Sequence, residues 1–239
     1  MNKIKVSAVC YTNSQPFVYG IKHSNLINQI ELSLDIPSVC ASKLIENQVD
    51  IGLVPIATLV QVENYQIISN YCIGADGKVD SVFIFSTKPI HEIKSLRLDS
   101  QSRTSNNLAR ILLAHHWNAD PELVDTDTAD AFVQIGDRTF ENKNRFPHQY
   151  DLSEEWKKFS GLPFVFAVWA SNKPISDDFK IAFNAALKYG LDNRQKVIAE
   201  HAQIDNQDIE DYLMKKIDFN LDEKKLLALN KFLELMKTL

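Results

Sequence analysis

Leu162-Pro163-Phe164-Val165-Phe166-Ala167-Val168-Trp169, stopped by Asn172-Lys173-Pro174, reads as one extended β-branched and aromatic segment. It has a counterpart upstream in Val79-Asp80-Ser81-Val82-Phe83-Ile84-Phe85, which ends in Thr87-Lys88-Pro89. Between them an alternation of strand and helix signals restarts at Leu96-Arg97-Leu98-Asp99. Two long runs that leave and re-enter one α/β unit enclose a second one. The expected architecture is therefore two α/β lobes joined by two extended crossings, with a ligand cleft between lobes that close by hinge motion. The boundaries expected are 1–86 and 171–239 for a discontinuous first lobe and 87–170 for the inserted second lobe.

Outward from these runs, residues 4–9, 30–34, 51–54 and 67–71 read as strands separated by loops and helical segments. This is a βαβ rhythm and implies a largely parallel first sheet. Pro37-Ser38 followed by Cys40, Ala41, Leu44 and Ile45 at helical spacing reads as a helix capped by Ser38 and ended by Asn47 and Gln48. From Ser176 the pattern is helical, with one apolar stripe at Phe179, Ala182, Phe183, Ala186 and Leu187 and another at Leu226, Leu229, Phe232, Leu233 and Met236. The tail is expected to pack on the first lobe.

Composition removes several function classes. The chain has 239 residues, 45% of them hydrophobic and 24% charged, which are ordinary globular proportions. The formal charge of -5 and the lack of a dense Lys/Arg stripe argue against nucleic acid as a partner. No apolar run approaches the ~20 residues a membrane span requires, so no membrane association is expected. The apolar segment 4–10 meets Tyr11-Thr12-Asn13-Ser14-Gln15, which no signal-peptide core tolerates, so a cytoplasmic location is expected. Cys10, Cys40 and Cys72 are scattered and read as reduced thiols. With seven glycines and neither G-x-G-x-x-G nor G-x-x-x-x-G-K-[ST], no dinucleotide or P-loop cofactor is expected. The six histidines show no ligand spacing, so no metal is expected either. His115-His116 sits at a helix end, where cations meet the last carbonyls.

Three loops carry the candidate chemistry. Ser100-Gln101-Ser102-Arg103-Thr104-Ser105 places hydroxyls, N–H groups and one guanidinium at the start of a helix that includes Leu108, Ile111 and Leu112. Helix N-termini hold anions through unpaired N–H groups, and an arginine there forks onto a carboxylate; simple capping by the hydroxyls is the alternative. Tyr11-Thr12-Asn13-Ser14-Gln15-Pro16 and Ile135-Gly136-Asp137-Arg138-Thr139 each follow a strand, where open α/β sheets bind ligands. Asn13 tying down its own loop, and Asp137 and Arg138 forming a turn and a surface ion pair, are the structural alternatives.

Taken in order, Tyr11-Thr12-Asn13-Ser14-Gln15-Pro16-Phe17, Asp50-Ile51-Gly52-Leu53-Val54-Pro55, Ser102-Arg103-Thr104-Ser105, Ile135-Gly136-Asp137 and the segment from Trp156 through Trp169 resemble chorismate dehydratase of menaquinone biosynthesis. The resemblance spans roughly residues 4–172. It implies a periplasmic-binding-protein type II-like fold with chorismate between the lobes and no cofactor. By position it implies that Asn13 and Ser81 act at the reacting ring and that Ser102, Arg103, Thr104 and Ser105 bind carboxylate. Ser14, Ser38, Gly136 and Asp137 complete the expected substrate contacts.

The reaction so implied removes water from chorismate to give 3-[(1-carboxyvinyl)oxy]benzoate. The proton lost is vinylogous to the ring carboxylate, so donors at a helix start can stabilise the dienolate by preorganisation. The expected base is the substrate's own side-chain carboxylate, with Asp137 as the alternative. A sibling naphthoate synthase of the same pathway and a non-catalytic small-anion binding protein are the competing readings.

Overall fold

The computed structural model describes residues 3–143, 145–200 and 206–239. In chain order the strands are β1 (Ile4–Val9), β2 (Ile30–Asp35), β3 (Ile51–Pro55), β4 (Gln66–Ala75), β5 (Val82–Ser86), β6 (Ser95–Arg97), β7 (Glu122–Leu123), β8 (Ala131–Ile135), β9 (His148–Asp151), β10 (Phe164–Ser171) and β11 (Asp218–Asn220). The helices are α1 (Gln15–Lys22), α2 (Pro37–Ile45), α3 (Arg103–Leu112), α4 (Leu152–Ser160), α5 (Asp177–Asp192), α6 (Arg194–Glu200), α7 (Asn206–Asp211) and α8 (Glu223–Met236).

The strands form two sheets, ordered β11-β4-β10-β3-β1-β2 and β7-β6-β8-β5-β9. In the first, β1 runs parallel to β2 and β3, and its residues Val6, Ser7, Ala8 and Val9 are buried, as a strand covered on both faces requires. The one polar residue among them, Ser7, donates to Asp35 Oδ2 at 2.8 Å, which satisfies its hydroxyl. The other half of this sheet is antiparallel, because β10 returns from the second sheet and inserts between β3 and β4. The expectation of a largely parallel sheet thus holds only for β1, β2 and β3; both sheets are mixed.

The chain changes sheet between Ala75 and Val82 and again between Asp151 and Phe164. The expected edges at 86/87 and 170/171 fall at the far ends of β5 and β10, whose runs are strands of one sheet each rather than crossings. The connections themselves are short. In the first, Asp151 accepts from Val79 N at 3.0 Å and Asp80 N at 2.7 Å while capping α4 through Ser153 N at 3.0 Å and Glu154 N at 3.1 Å. One buried carboxylate therefore ties the connection to a helix start, and Asp80 takes a left-handed φ of 64° there.

Two further expectations are corrected. Ile36, not Ser38, is the residue before the first turn of α2, and Pro37 begins the helix with its preset φ. The tail touches both units: Phe232 packs edge-on against Phe164 at 5.4 Å and Trp156 at 6.4 Å, while Arg110 of α3 donates to Leu239 O at 3.3 Å. Its apolar stripe fills the junction of α4 and β10 rather than one lobe alone. His115 and His116 follow α3 and meet Thr238 at 3.1 Å and Glu155 at 3.2 Å, in keeping with a structural part. No helix among the described residues is long and apolar enough to cross a membrane.

Helices α1 and α5 cross with their backbones nearly touching. A Cβ added at Gly190 would lie 1.8 Å from Pro16 O, and one at Gly20 would lie 2.0 Å from Ala186 O. Replacing Gly190 by Ala must push the helices apart, so the urea midpoint should fall by the equivalent of about 1–3 kcal/mol with an unchanged slope.

Candidate active site

The loop after β1 is built by its own hydroxyl. Ser14 Oγ donates to Val9 O and contacts Tyr11 O at 3.0 Å, and Ser14 N donates to Tyr11 O at 3.1 Å. This tightens Thr12–Ser14 into a single 3-10 turn and leaves Asn13 at the wall of the cleft. Ser14 itself is fully buried and turned into the loop, away from the cavity lining.

A cavity of about 50 Å³ lies between the two sheets, with Tyr11, Asn13, Ser81, Ser102, Ser105 and Gly136 on its polar side and Val9, Ile73, Ile135 and Phe166 among its apolar walls. Ligand pockets usually enclose ~300–1,000 Å³, so a substrate of ordinary size needs this cleft to widen. Bonds across the seam hold it narrow: Tyr11 Oη donates to Gln101 Oε1, Thr104 Oγ1 accepts from Ala57 N at 3.2 Å, and Arg103 Nη1 donates to Gln61 Oε1 at 2.6 Å.

At the start of α3, Ser102 Oγ accepts from Ser105 N at 3.1 Å and lies 2.9 Å from Ser105 Oγ. Capping and cavity lining are therefore combined in the same two hydroxyls. Arg103 and Thr104, on the same turn, are directed at the 3-10 helix Ile56–Gln61 and do not line the cavity. Ser38 is half-buried and lies outside the lining, where its neighbour Pro37 contributes instead.

Gly136 opens the third loop at φ +67°, and a Cβ there would sit 2.9 Å from the Tyr11 ring. Its N–H donates to Ser81 O at 2.9 Å, which joins this loop to the first connection. Asp137 occupies the first turn of the 3-10 helix Gly136–Thr139, beside the cavity but not in its lining. Arg138 is engaged by a buried carboxylate. Its Nη2 donates to buried Asp99 at 3.0 and 2.7 Å, and Asp99 also accepts from Ile135 N at 3.1 Å and Gln101 N at 2.8 Å. This pair welds the loops after β6 and β8 together.

One residue escaped the sequence reading. Tyr212, in the π-helical turn Tyr212–Lys216, is 2% exposed; its Oη lies 2.7 Å from Ser81 Oγ and 3.3 Å from Asn13 Nδ2. Burial raises its pKa, and burial likewise pushes the Tyr11 phenol up to about 12, so both stay neutral near pH 7. Tyr212 lies in the helical tail, about 130 residues from Ser81, and no local pattern marks it. The π-turn is the one structural signal, since such bulges recur at functional sites.

Comparison with known proteins fits this geometry. A family described as menaquinone biosynthesis matches residues 4–238, nearly the whole chain. The chain belongs to the menaquinone-biosynthesis family. Among solved structures, protein AF1704 from Archaeoglobus fulgidus superposes with a TM-score of 0.79 at 15% identity, covering 99% of this chain and 97% of that one. The Candida albicans CA3427 gene product, described as having the generic periplasmic binding protein fold, gives 0.73 at 14% identity over 100% and 91%. The periplasmic aliphatic sulphonate binding protein SsuA from Escherichia coli gives 0.63 at 12% identity over 100% and 87%. This family member thus has the periplasmic-binding-protein fold, with two mixed sheets on either side of the cleft.

The Asp99–Arg138 weld carries a direct expectation. Arg138→Ala leaves a buried carboxylate with only backbone donors, so thermal or urea unfolding should show a loss of about 2–4 kcal/mol.

Proposed function

We propose that this protein dehydrates chorismate to 3-[(1-carboxyvinyl)oxy]benzoate within menaquinone biosynthesis. The observation that carries the reading is the meeting of Asn13 and Ser81, from two separate loops, at the wall of one cavity that also receives Ser102 and Ser105 from the start of α3. These are the positions where the family resemblance expects the reacting ring and the carboxylate.

The chemistry asks little of charged side chains. The proton leaving the ring carbon that bears the enolpyruvyl ether is vinylogous to the ring carboxylate, so its electrons pass into a dienolate. Hydroxyls of Ser102 and Ser105 and the unpaired N–H groups of the first turn of α3 stabilise that charge, with Arg103 on the same turn adding a positive field. The substrate's side-chain carboxylate takes the proton. The ring C–O bond then breaks, the oxygen leaves with its electron pair, and the same proton completes a water molecule. The product is aromatic, and no electrons are exchanged with a second reactant. Asn13 and Ser81 hold the reacting groups in place, a contribution through orientation.

Purified protein incubated with chorismate alone should yield a product lighter by one water in mass detection, and Asn13→Ala should slow it by ~10²-fold or more. Asp137→Asn should retain turnover; abolition of turnover with binding intact would move the base to Asp137. Chorismate bound but left intact would instead support a small-anion binding protein, while turnover of a later cyclic intermediate of the pathway would support the sibling synthase.

A further inference from the structure

We propose that Tyr212 is a positioning residue that sets the hydrogen-bond direction of the site, so that Asn13 and Ser81 offer one acceptor and one donor to the departing ring hydroxyl. The inference rests on the dehydratase reading above and deepens it by naming the substrate group these two residues hold.

The direction follows from the donor inventory. Asn13 Nδ2 can only donate, so at 3.3 Å from Tyr212 Oη it makes the phenol oxygen an acceptor. The single phenol proton then goes to Ser81 Oγ, 2.7 Å away. Ser81 is left with its own O–H to give, and no second protein partner for it is present among the described residues. Asn13 keeps its Oδ1, which is buried and has no partner among the described residues. An unpaired buried acceptor costs ~1–3 kcal/mol, a cost removed when a ligand donor fills it.

A donor beside an acceptor is complementary to a hydroxyl, which does both. It is a poorer match for a carboxylate, which only accepts and would set its charge against the partial negative charge of Asn13 Oδ1. The carboxylate is better met by Ser102 and Ser105, which line the same cavity at the helix start. Held this way, the ring oxygen receives the Ser81 O–H as its C–O bond lengthens and negative charge grows on it.

Tyr212 is suited to enforce this. Its ring packs edge-on against Phe140 at 5.6 Å and 83°, and Lys216 at the end of the same π-turn reaches Asp80 at 3.2 Å, next to Ser81. Ring and backbone are therefore both fixed. Without the phenol, Ser81 rotates freely and Asn13 loses the bond that orients its amide.

The test is a mutant cycle on the full chain with chorismate. Tyr212→Phe should lower kcat by about 10- to 100-fold with KM within about 3-fold, since orientation rather than ground-state binding is lost. In a Ser81→Ala background the same change should cost clearly less than in wild type, no more than about 5-fold, because part of its action runs through Ser81 and only the Asn13 arm remains. The reaction product, which lacks the hydroxyl, should bind Tyr212→Phe and wild type equally. A full multiplicative loss in the Ser81→Ala background, or a raised KM with kcat unchanged, overturns the proposal. If wild type gives no product, the dehydratase reading fails separately; the hydrogen-bond chain is then judged by the Asn13 side-chain amide resonance, which must move in Tyr212→Phe, and an unmoved resonance overturns the chain.

Discussion

The antiparallel return of β10 between β3 and β4 is the constraint on which the rest depends. A strand that comes back from the second sheet into the middle of the first brings both connections side by side, and the loops at the strand ends converge on one seam. The register that sets Ala167 against Pro55 and Val168 against Val54 fixes the floor of the cleft, where Phe166, Ala167 and Pro55 lie. Everything polar in the site is then a matter of which loop reaches the seam: Asn13 after β1, Ser81 before β5, Ser102 and Ser105 after β6, Gly136 after β8.

Much of this was legible in the sequence because it is local. β1 runs from Ile4 to Val9, as its apolar run predicts, and the hydroxyl-rich turn before Leu108 begins a helix with Ser102 as its cap. The two-unit architecture followed from the pair of aromatic runs. What local pattern could not convey was which sheet each run joins, since a buried strand reads the same in either; β5 pairs with β8 and β9, and β10 with β3 and β4. The parallel rhythm at the N-terminus likewise carried no sign of the antiparallel half.

The site was readable to the extent that its residues sit in loops next to strands. Asn13, Ser81, Ser102, Ser105 and Gly136 converge, whereas Ser14 and Ser38 lie outside the cavity because one hydroxyl satisfies its own loop and the other sits a residue beyond the wall. Arg103 is turned to Gln61. Tyr212 was invisible because its partners are distant in the chain and its tail reads as packing. Its phenol nevertheless bonds both Asn13 and Ser81 and so joins the two sides of the seam.

The most direct test is a crystal structure of the wild-type protein with an unreactive chorismate analogue, one that keeps the ring hydroxyl and both carboxylates, held in the cleft. The ring hydroxyl should lie within about 3.2 Å of both Ser81 Oγ and Asn13 Oδ1, with the ring carboxylate at the start of α3. A ligand seated outside the seam, or turned so that a carboxylate meets Asn13 and Ser81, would contradict the account.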